Sequence, residues 1–473
     1  MRNIVNLALE GENMQIHNTD GAKIIILAAF GLLMFSCSNA VANVDKIAAT
    51  IIRLNQHNIN LSISSVGTTI GVNIIPDNTT DKSTIWSSSN SNIVAVDSTG
   101  YITPKSIGKT TIYVRTNNGK YDYSQVIVTP PLYLMGNMLY NGNIQPFFLL
   151  NNVTTILRSP YNLSLCNTSQ MIATSIDRYI SGSISGFNMK SEACIWQNEY
   201  ITILSKYSTL GDGYANGLAD TGQLFVSGFT SNSTGIYYPC IWKNGIRTDL
   251  PVLDNARGGV AYGIFATDSS ILVAGSSINS LGVNIPCYWN NGEMTILSVS
   301  DTSKGGEARN VSIVNSDIYI TGIIWTNVNM YNTDGTLAYT KTISNVCVWK
   351  NGTLAVLPAA DPTSGSTIVN GLKVINNDVY IYGATGGGFT TPCYWINGTR
   401  VDLPISQNYQ YGMSGQVSGI STSNGEVFPV GFSRPSFDSD GAACFWTNGE
   451  KIDIDPPINE LGYGYFPSTA YSQ

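Results

Sequence analysis

The stretch Pro239-Cys240-Ile241-Trp242-Lys243-Asn244-Gly245-Ile246-Arg247-Thr248-Asp249-Leu250 sets the architecture, because its skeleton returns along the chain. A cysteine followed two residues later by tryptophan recurs as Cys194/Trp196, Cys240/Trp242, Cys287/Trp289, Cys347/Trp349, Cys393/Trp395 and Cys444/Trp446. Successive tryptophans lie 46, 47, 60, 46 and 51 residues apart, the pitch of a repeat protein. Eight residues after each comes Leu204, Leu250, Leu297, Leu357, Leu403 or Ile454, so every copy holds a hairpin of one length. Five of the six turns contain Asn-Gly, as in Asn244-Gly245 and Asn397-Gly398, the pair best suited to positive φ at both central positions of a type I′ turn; the Trp196 copy has Asn198-Glu199. A degraded seventh copy lies upstream, where Pro146-Phe147-Phe148-Leu149 aligns with Pro392-Cys393-Tyr394-Trp395 and Leu157 follows Leu149 by eight.

Ahead of each hairpin runs a strand ending in glycine, at Gly136, Gly182, Gly228, Gly275, Gly322, Gly383 and Gly431. Before that comes a further strand candidate with small residues, such as Val260 to Phe265 or Gln416 to Ile420. Four short strands in about 47 residues, seven times and without helical periodicity, describe a seven-bladed β-propeller over residues 131–473. The first copy lacks its leading strand, and Tyr465 to Tyr471 has the look of that strand alone. The C-terminal strand is therefore expected to complete the first blade, and a closed ring leaves no long sheet edge exposed. By the W-x-N-G turn and the leucine that follows it, the repeat resembles the HAF-type extracellular repeats, a likeness that implies a fold and no particular activity.

Residues 51–129 read as a separate small sandwich, with short β-branched runs between turn residues. Val66-Gly67, Pro76-Asp77-Asn78-Thr79, Trp86-Ser87-Ser88-Ser89-Asn90, Ile93-Val94-Ala95-Val96-Asp97, Gly100-Tyr101-Ile102-Thr103 and Gly108-Lys109-Thr110-Thr111-Ile112 resemble, in order and spacing, the bacterial immunoglobulin-like domain of the second group. The resemblance implies a spacer or adhesion module without enzymatic activity. Trp86 is expected to fill the space between the two sheets, Gly100 to supply a conformation a Cβ disfavours, and Asp97 to hold a turn. The fold class is thus all-β, an immunoglobulin-like sandwich followed by the propeller.

The N-terminus reads as an address. Ile24 to Phe35 is a run of 12 apolar or small residues after Lys23 and before Ser36-Cys37, too short to span a bilayer comfortably and suited to a signal peptide over residues 1–36. A small residue before a cysteine at that point resembles the lipobox of bacterial lipoproteins, which implies an acylated Cys37, a linker over 37–50 and anchoring in the outer membrane. Either Met1 or Met14 can be the start. Surface-exported lipoproteins of the Bacteroides type often carry acids just after the cysteine, whereas here the first is Asp45, so the cell surface and the periplasmic face both stay open.

Composition excludes several chemistries. With 24 Lys and Arg against 31 Asp and Glu there is no basic stripe for a phosphate backbone, and no nucleic-acid partner is expected. His17 and His57 are the only histidines, which argues against histidine catalysis or a zinc site in the propeller, and no cofactor or metal is expected. Cysteines at one equivalent site, about 51° apart around a ring, could pair only at a radius of about 6 Å, so they are expected as buried thiols. Asp249, Asp402 and Asp453 share one repeat position and read as a solvated strand face in preference to a glycosidase pair. Sialidase-type propellers carry S-x-D-x-G-x-x-W boxes, which Ser436-Phe437-Asp438-Ser439-Asp440-Gly441 does not match.

One segment departs from the repeat. Between Gly322 and Cys347 there are 24 residues, carrying Trp325, Tyr331 and Tyr339, and this insertion is the candidate ligand contact; the competing reading is a hairpin around Asn332-Thr333-Asp334-Gly335 whose tryptophan covers the blade edge. Taken together, the sequence points to an envelope lipoprotein that is not an enzyme, with a propeller held on an immunoglobulin-like spacer to bind a glycan or a protein. The alternatives are a carbohydrate-active propeller enzyme, which requires converging carboxylates with Tyr or Arg, and a scaffold subunit of an outer-membrane assembly, which requires an apolar flank.

Overall fold

The computed structural model describes residues 46–130, 133–140, 143–150, 153–174, 177–361, 363, 365–387, 389–405, 414–423, 425–434, 442–454 and 466–471. All regular elements among them are strands, and none of the described residues forms a helix able to cross a membrane. Cys37 and the leader lie outside the described residues.

The first module is a sandwich. One sheet orders Asn58–Ser62, Tyr121–Thr129, Gly108–Thr116 and Thr84–Ser88, with the first pair parallel; the other sheets pair Ile51–Leu54 with Val72–Ile75, and Tyr101–Pro104 with Thr68–Thr69 and Val94–Val96. Alternation along Gly108–Thr116 buries Ile112 and Val114 against Ile70, Val94, Ile102 and Val126. The module begins before Ile51, since Ala49 is in its core and Ile47 N–H donates to Thr80 Oγ1 at 3.0 Å. Trp86 does not fill the intersheet space as expected. It is half-buried at the margin of the core, its Nε1 donates to Thr84 Oγ1, and its ring lies where a Cβ on Gly100 (φ +81°) would sit. Asp97 holds the turn as expected, accepting from Thr99 N–H at 2.8 Å and Tyr101 N–H at 3.1 Å.

Seven four-stranded antiparallel blades follow. The third is representative, ordered Gly213–Asp220, Leu224–Ser231, Tyr237–Lys243 and Ile246–Asp249 from the axis outward. Asn244 and Gly245 both have positive φ, as do the Asn-Gly pairs at 291, 351, 397 and 448, which gives the type I′ turns the sequence predicts. The asparagine does more than accept that backbone, because Oδ1 of Asn244, Asn291, Asn351 and Asn397 takes the N–H of Leu224, Ile271, Ile318 and Val379, fastening the turn to the neighbouring strand.

The repeated glycine has a steric cause. Each innermost strand bulges opposite it, leaving residues such as Asn216, Arg309, Asn370 and Ser418 unpaired. The bulge presses an innermost-strand carbonyl onto the glycine, so a Cβ on Gly228 would overlap the Tyr214 oxygen and the Trp242 ring. Cys240 is Gly228's partner across the sheet, and the same Gly–Cys register holds in blades two to seven. The seven described cysteines are all buried thiols outside any disulfide.

Every repeat tryptophan is buried, and its indole N–H reaches back to the preceding blade. Trp196, Trp242, Trp289, Trp349, Trp395 and Trp446 donate to the carbonyls of Arg158, Ser205, Pro251, Ser298, Pro358 and Pro404 at 2.7–2.9 Å. Each acceptor directly follows the leucine of the preceding copy, which explains the fixed spacing. Phe466–Tyr471 pairs with Tyr133–Tyr140, completing the first blade, and touches both Ser414–Ser423 and Leu163–Ala173.

The seam between blades seven and one differs from the others. Phe147 and Leu149 stand in the cysteine and tryptophan positions and pack on Val430, Ala443, Phe445 and Ile454, so apolar contact replaces the indole hydrogen bond. Ile127 of the first module is buried in this same cluster, with Ile107 against it. The module therefore packs on the closure seam of the ring.

Candidate functional site

Antiparallel connectivity puts two kinds of loop at one end of the propeller, here the upper end. These are the loops from second to third strand within a blade and from outermost strand to the next blade. Asp254, Asp301 and Asp361 open three of the latter, each accepting a backbone N–H two residues on, from Ala256, Ser303 and Thr363, while Gly258, Gly305 and Gly365 close them at positive φ. This Asp-x-x-x-Gly spacing is a structural signal present in the sequence and absent from the expectations above.

The insertion is a long hairpin, Asp317–Tyr331 with Leu337–Lys350, rising from the upper end of blade five. Its tip is the expected Asn332 to Gly335 turn, with Asp334 Oδ1 accepting from Thr336 N–H at 2.9 Å. The three predicted aromatics do not converge. Trp325 is half-buried and packs on the core between blades five and six, beside Ile323 and Val346. Tyr331 and Tyr339 are exposed (62% and 57%), but Tyr339 pairs with Met330, which puts the two tyrosines on opposite faces of the hairpin.

The exposed apolar surface extends well beyond this hairpin. Phe187, Met189 and Leu281 crown the loops of blades two and four, and Tyr207, Leu210 and Leu253 lie in the loops that join blades two, three and four. Phe187 and Leu281 are each 84% exposed. Among these loops, blade three carries an aromatic cluster in which Tyr214 stacks on Phe229 at 4.9 Å with Tyr237 edge-on, while Tyr207 stacks on Tyr238 at 4.9 Å. Tyr200, Ile203, Ile246, Ile296 and Val356, also exposed, lie on outermost strands, and Leu165 lies on the innermost strand of blade two.

The carboxylates are held by the protein's own donors. Asp402 and Asp453 pair along their strands with Arg400 and Lys451, and Asp249 pairs with Arg247 in the same way, on three separate blades. Hydrogen bonds from Ser303, Lys350, Thr336 and Thr363 hold Asp301, Asp317, Asp334 and Asp361 below the ordinary carboxylate range. A glycosidic acid needs the opposite displacement. Nearest to a reactive cluster is Glu307 on an innermost strand, 2.8 Å from Arg309, whose guanidinium lies over the Tyr262 ring; burial pushes that phenol up to about 12. It contains one carboxylate, already paired. No cluster of metal-ligating side chains occurs among the described residues.

Residues 64–126 match the bacterial Ig-like domain (group 2). Two uncharacterized proteins of Clostridium acetobutylicum are 34% identical over 97 residues and 35% identical over 95, which is 19% and 20% of this chain and only 24% and 10% of theirs. Similar solved structures include the β-propeller domain of the Trilobed protease from Pyrococcus furiosus (10% identity, TM-score 0.39, 75% of this chain and 97% of that one). Others are the Aleuria aurantia lectin bound to α-methyl-L-fucoside (9%, TM-score 0.34, 68% and 95%) and a puromycin-hydrolyzing peptidase of Mycobacterium tuberculosis (10%, TM-score 0.37, 75% and 52%).

Proposed function

We propose that this is a non-catalytic binding protein of the bacterial envelope, whose propeller offers its upper end to a glycan or protein partner. The observation that carries this reading is the concentration of exposed large apolar side chains on the upper loops of blades two to five. The tyrosines suit the apolar face of a sugar ring, and Leu210, Leu253 and Leu281 suit a protein surface. An acyl chain on Cys37 would anchor the protein, a reading supported by the lipobox-like Ser36-Cys37 and by the resemblance of the repeat to HAF-type extracellular repeats.

The test is a glycan array probed with the full-length protein, beside a turnover assay on each glycan bound. The module stays in place because it packs on the ring's seam. Binding without product formation is the expected result; release of sugar would replace this reading with an enzymatic one. Radiolabelled palmitate incorporated by the native chain and lost in Cys37→Ala tests the anchor.

A further inference from the structure

At the lower end, opposite the aromatic loops, a cleft of roughly 390 Å³ opens between blades three and four. Thr221, Gln223, Phe225 and Lys243 of blade three face Asp268 and Asn291 of blade four across it. Its walls are set by the protein's own hydrogen bonds: Thr267 N–H donates to Ser270 O at 2.8 Å, and Asn291 Oδ1 accepts from Ile271 N–H at 2.9 Å. The size falls in the range of about 300–1,000 Å³ typical of small-molecule sites.

The same lysine-over-aromatic arrangement occurs in blade five, with an acid beside it. There Lys350 follows the tryptophan, its Nζ lies 5.3 Å over the Tyr319 ring, and Asp317 takes the ammonium at 2.8 Å. In blade three Lys243 follows the tryptophan and its Nζ lies 5.4 Å over the Phe225 ring, but Gln223 stands where Asp317 stands. The acid that would neutralise the lysine is an amide. Lys243 consequently has no carboxylate within ion-pair distance among the described residues, and neither has Asp268 a cation. Most other lysines and arginines of the described propeller are ion-paired, in a chain with only 12% charged residues.

We propose that this cleft binds an acidic sugar residue, a hexuronate within a glycan. Its carboxylate takes the place Asp317 has in blade five, between Lys243 and the Gln223 amide, and its ring hydroxyls donate to Asp268. A neutral hexose leaves the ammonium without a counter-charge, and a simple anion leaves Asp268 without a donor. The site is separate from the aromatic end and does not rest on the function proposed for it.

The experiment is a calorimetric titration of the full-length protein with a galacturonate trisaccharide and, separately, its neutral galactose counterpart. Saturable binding of the acidic sugar, at least tenfold tighter than the neutral one, is expected. Gln223→Asp recreates the blade-five ion pair inside the cleft and should abolish binding without lowering the melting temperature. Lys243→Met should weaken it at least tenfold, while Ile296→Ala, on an outermost strand, leaves it unchanged. Absence of saturable binding, equal affinity for the neutral sugar, or binding that survives Gln223→Asp would overturn the assignment.

Discussion

Trp289 carries two separable contributions, a buried ring and an N–H held 2.9 Å from the Pro251 carbonyl. Trp289→Phe keeps most of the ring and leaves the carbonyl unsatisfied, which should cost about 1 kcal/mol. Trp289→Ala empties the position and should cost about 3–5 kcal/mol. Urea unfolding of both variants measures the difference, and a Trp289→Phe variant as stable as the native protein would mean that the interblade hydrogen bond contributes nothing. The recurrence of the tryptophan beside a turn was legible in the sequence. Its acceptor was not, since a backbone carbonyl in a loop of the preceding blade leaves no mark on side-chain identity.

At the scale of elements, the I′ turns and the glycine-ended strands were readable because each demands a particular residue for a local steric reason. The bulges at Asn216, Arg309, Asn370 and Ser418 were not, because a bulge is a property of two strands in register and its residue varies from blade to blade. The insertion shows the same division. Its length and tip turn were visible, while the faces taken by Trp325, Tyr331 and Tyr339 depended on the alternation of two paired strands and on a register shift beside Tyr331. Turn chemistry also fixes a pH response. Hydrogen bonds from Ser83 and Asn117 pull Asp81 from 3.8 down to about 2, so its folded form holds the proton less tightly than the unfolded chain does. Its contribution is complete above pH 3.8 and is lost as the pH falls toward 2. Asp81→Asn should therefore flatten the acid limb of the first module's unfolding between those two values; an unchanged limb would remove Asp81 from the account.

For the whole molecule, the decisive feature is the seam between blades seven and one. Six blade interfaces carry an indole hydrogen bond, whereas the seventh has Leu149 in that position and gains Ile127 from the first module. A simple spacer would not bury a side chain in the propeller's seam. Ile127→Ala should cost about 2–5 kcal/mol and lower the calorimetric transition of the propeller, while Ile112→Ala, inside the module's own core, should lower only that of the module. If Ile127→Ala leaves the propeller transition in place, the module is a spacer after all. Sequence alone could not separate these roles, because Ile127 reads as one more β-branched residue in an alternating strand.

The upper end is the proposed binding face whatever its partner, and hydroxyl-radical footprinting addresses it without knowledge of the ligand. Oxidation of Phe187, Leu281, Tyr331 and Tyr339 is compared between the purified protein and the same protein on intact cells, with Ile246 and Ile296 on outermost strands as references. Labelling that falls several-fold on the cell at the upper loops, and stays constant at the references, is the result this account predicts. Equal labelling of the upper loops in both settings would contradict it.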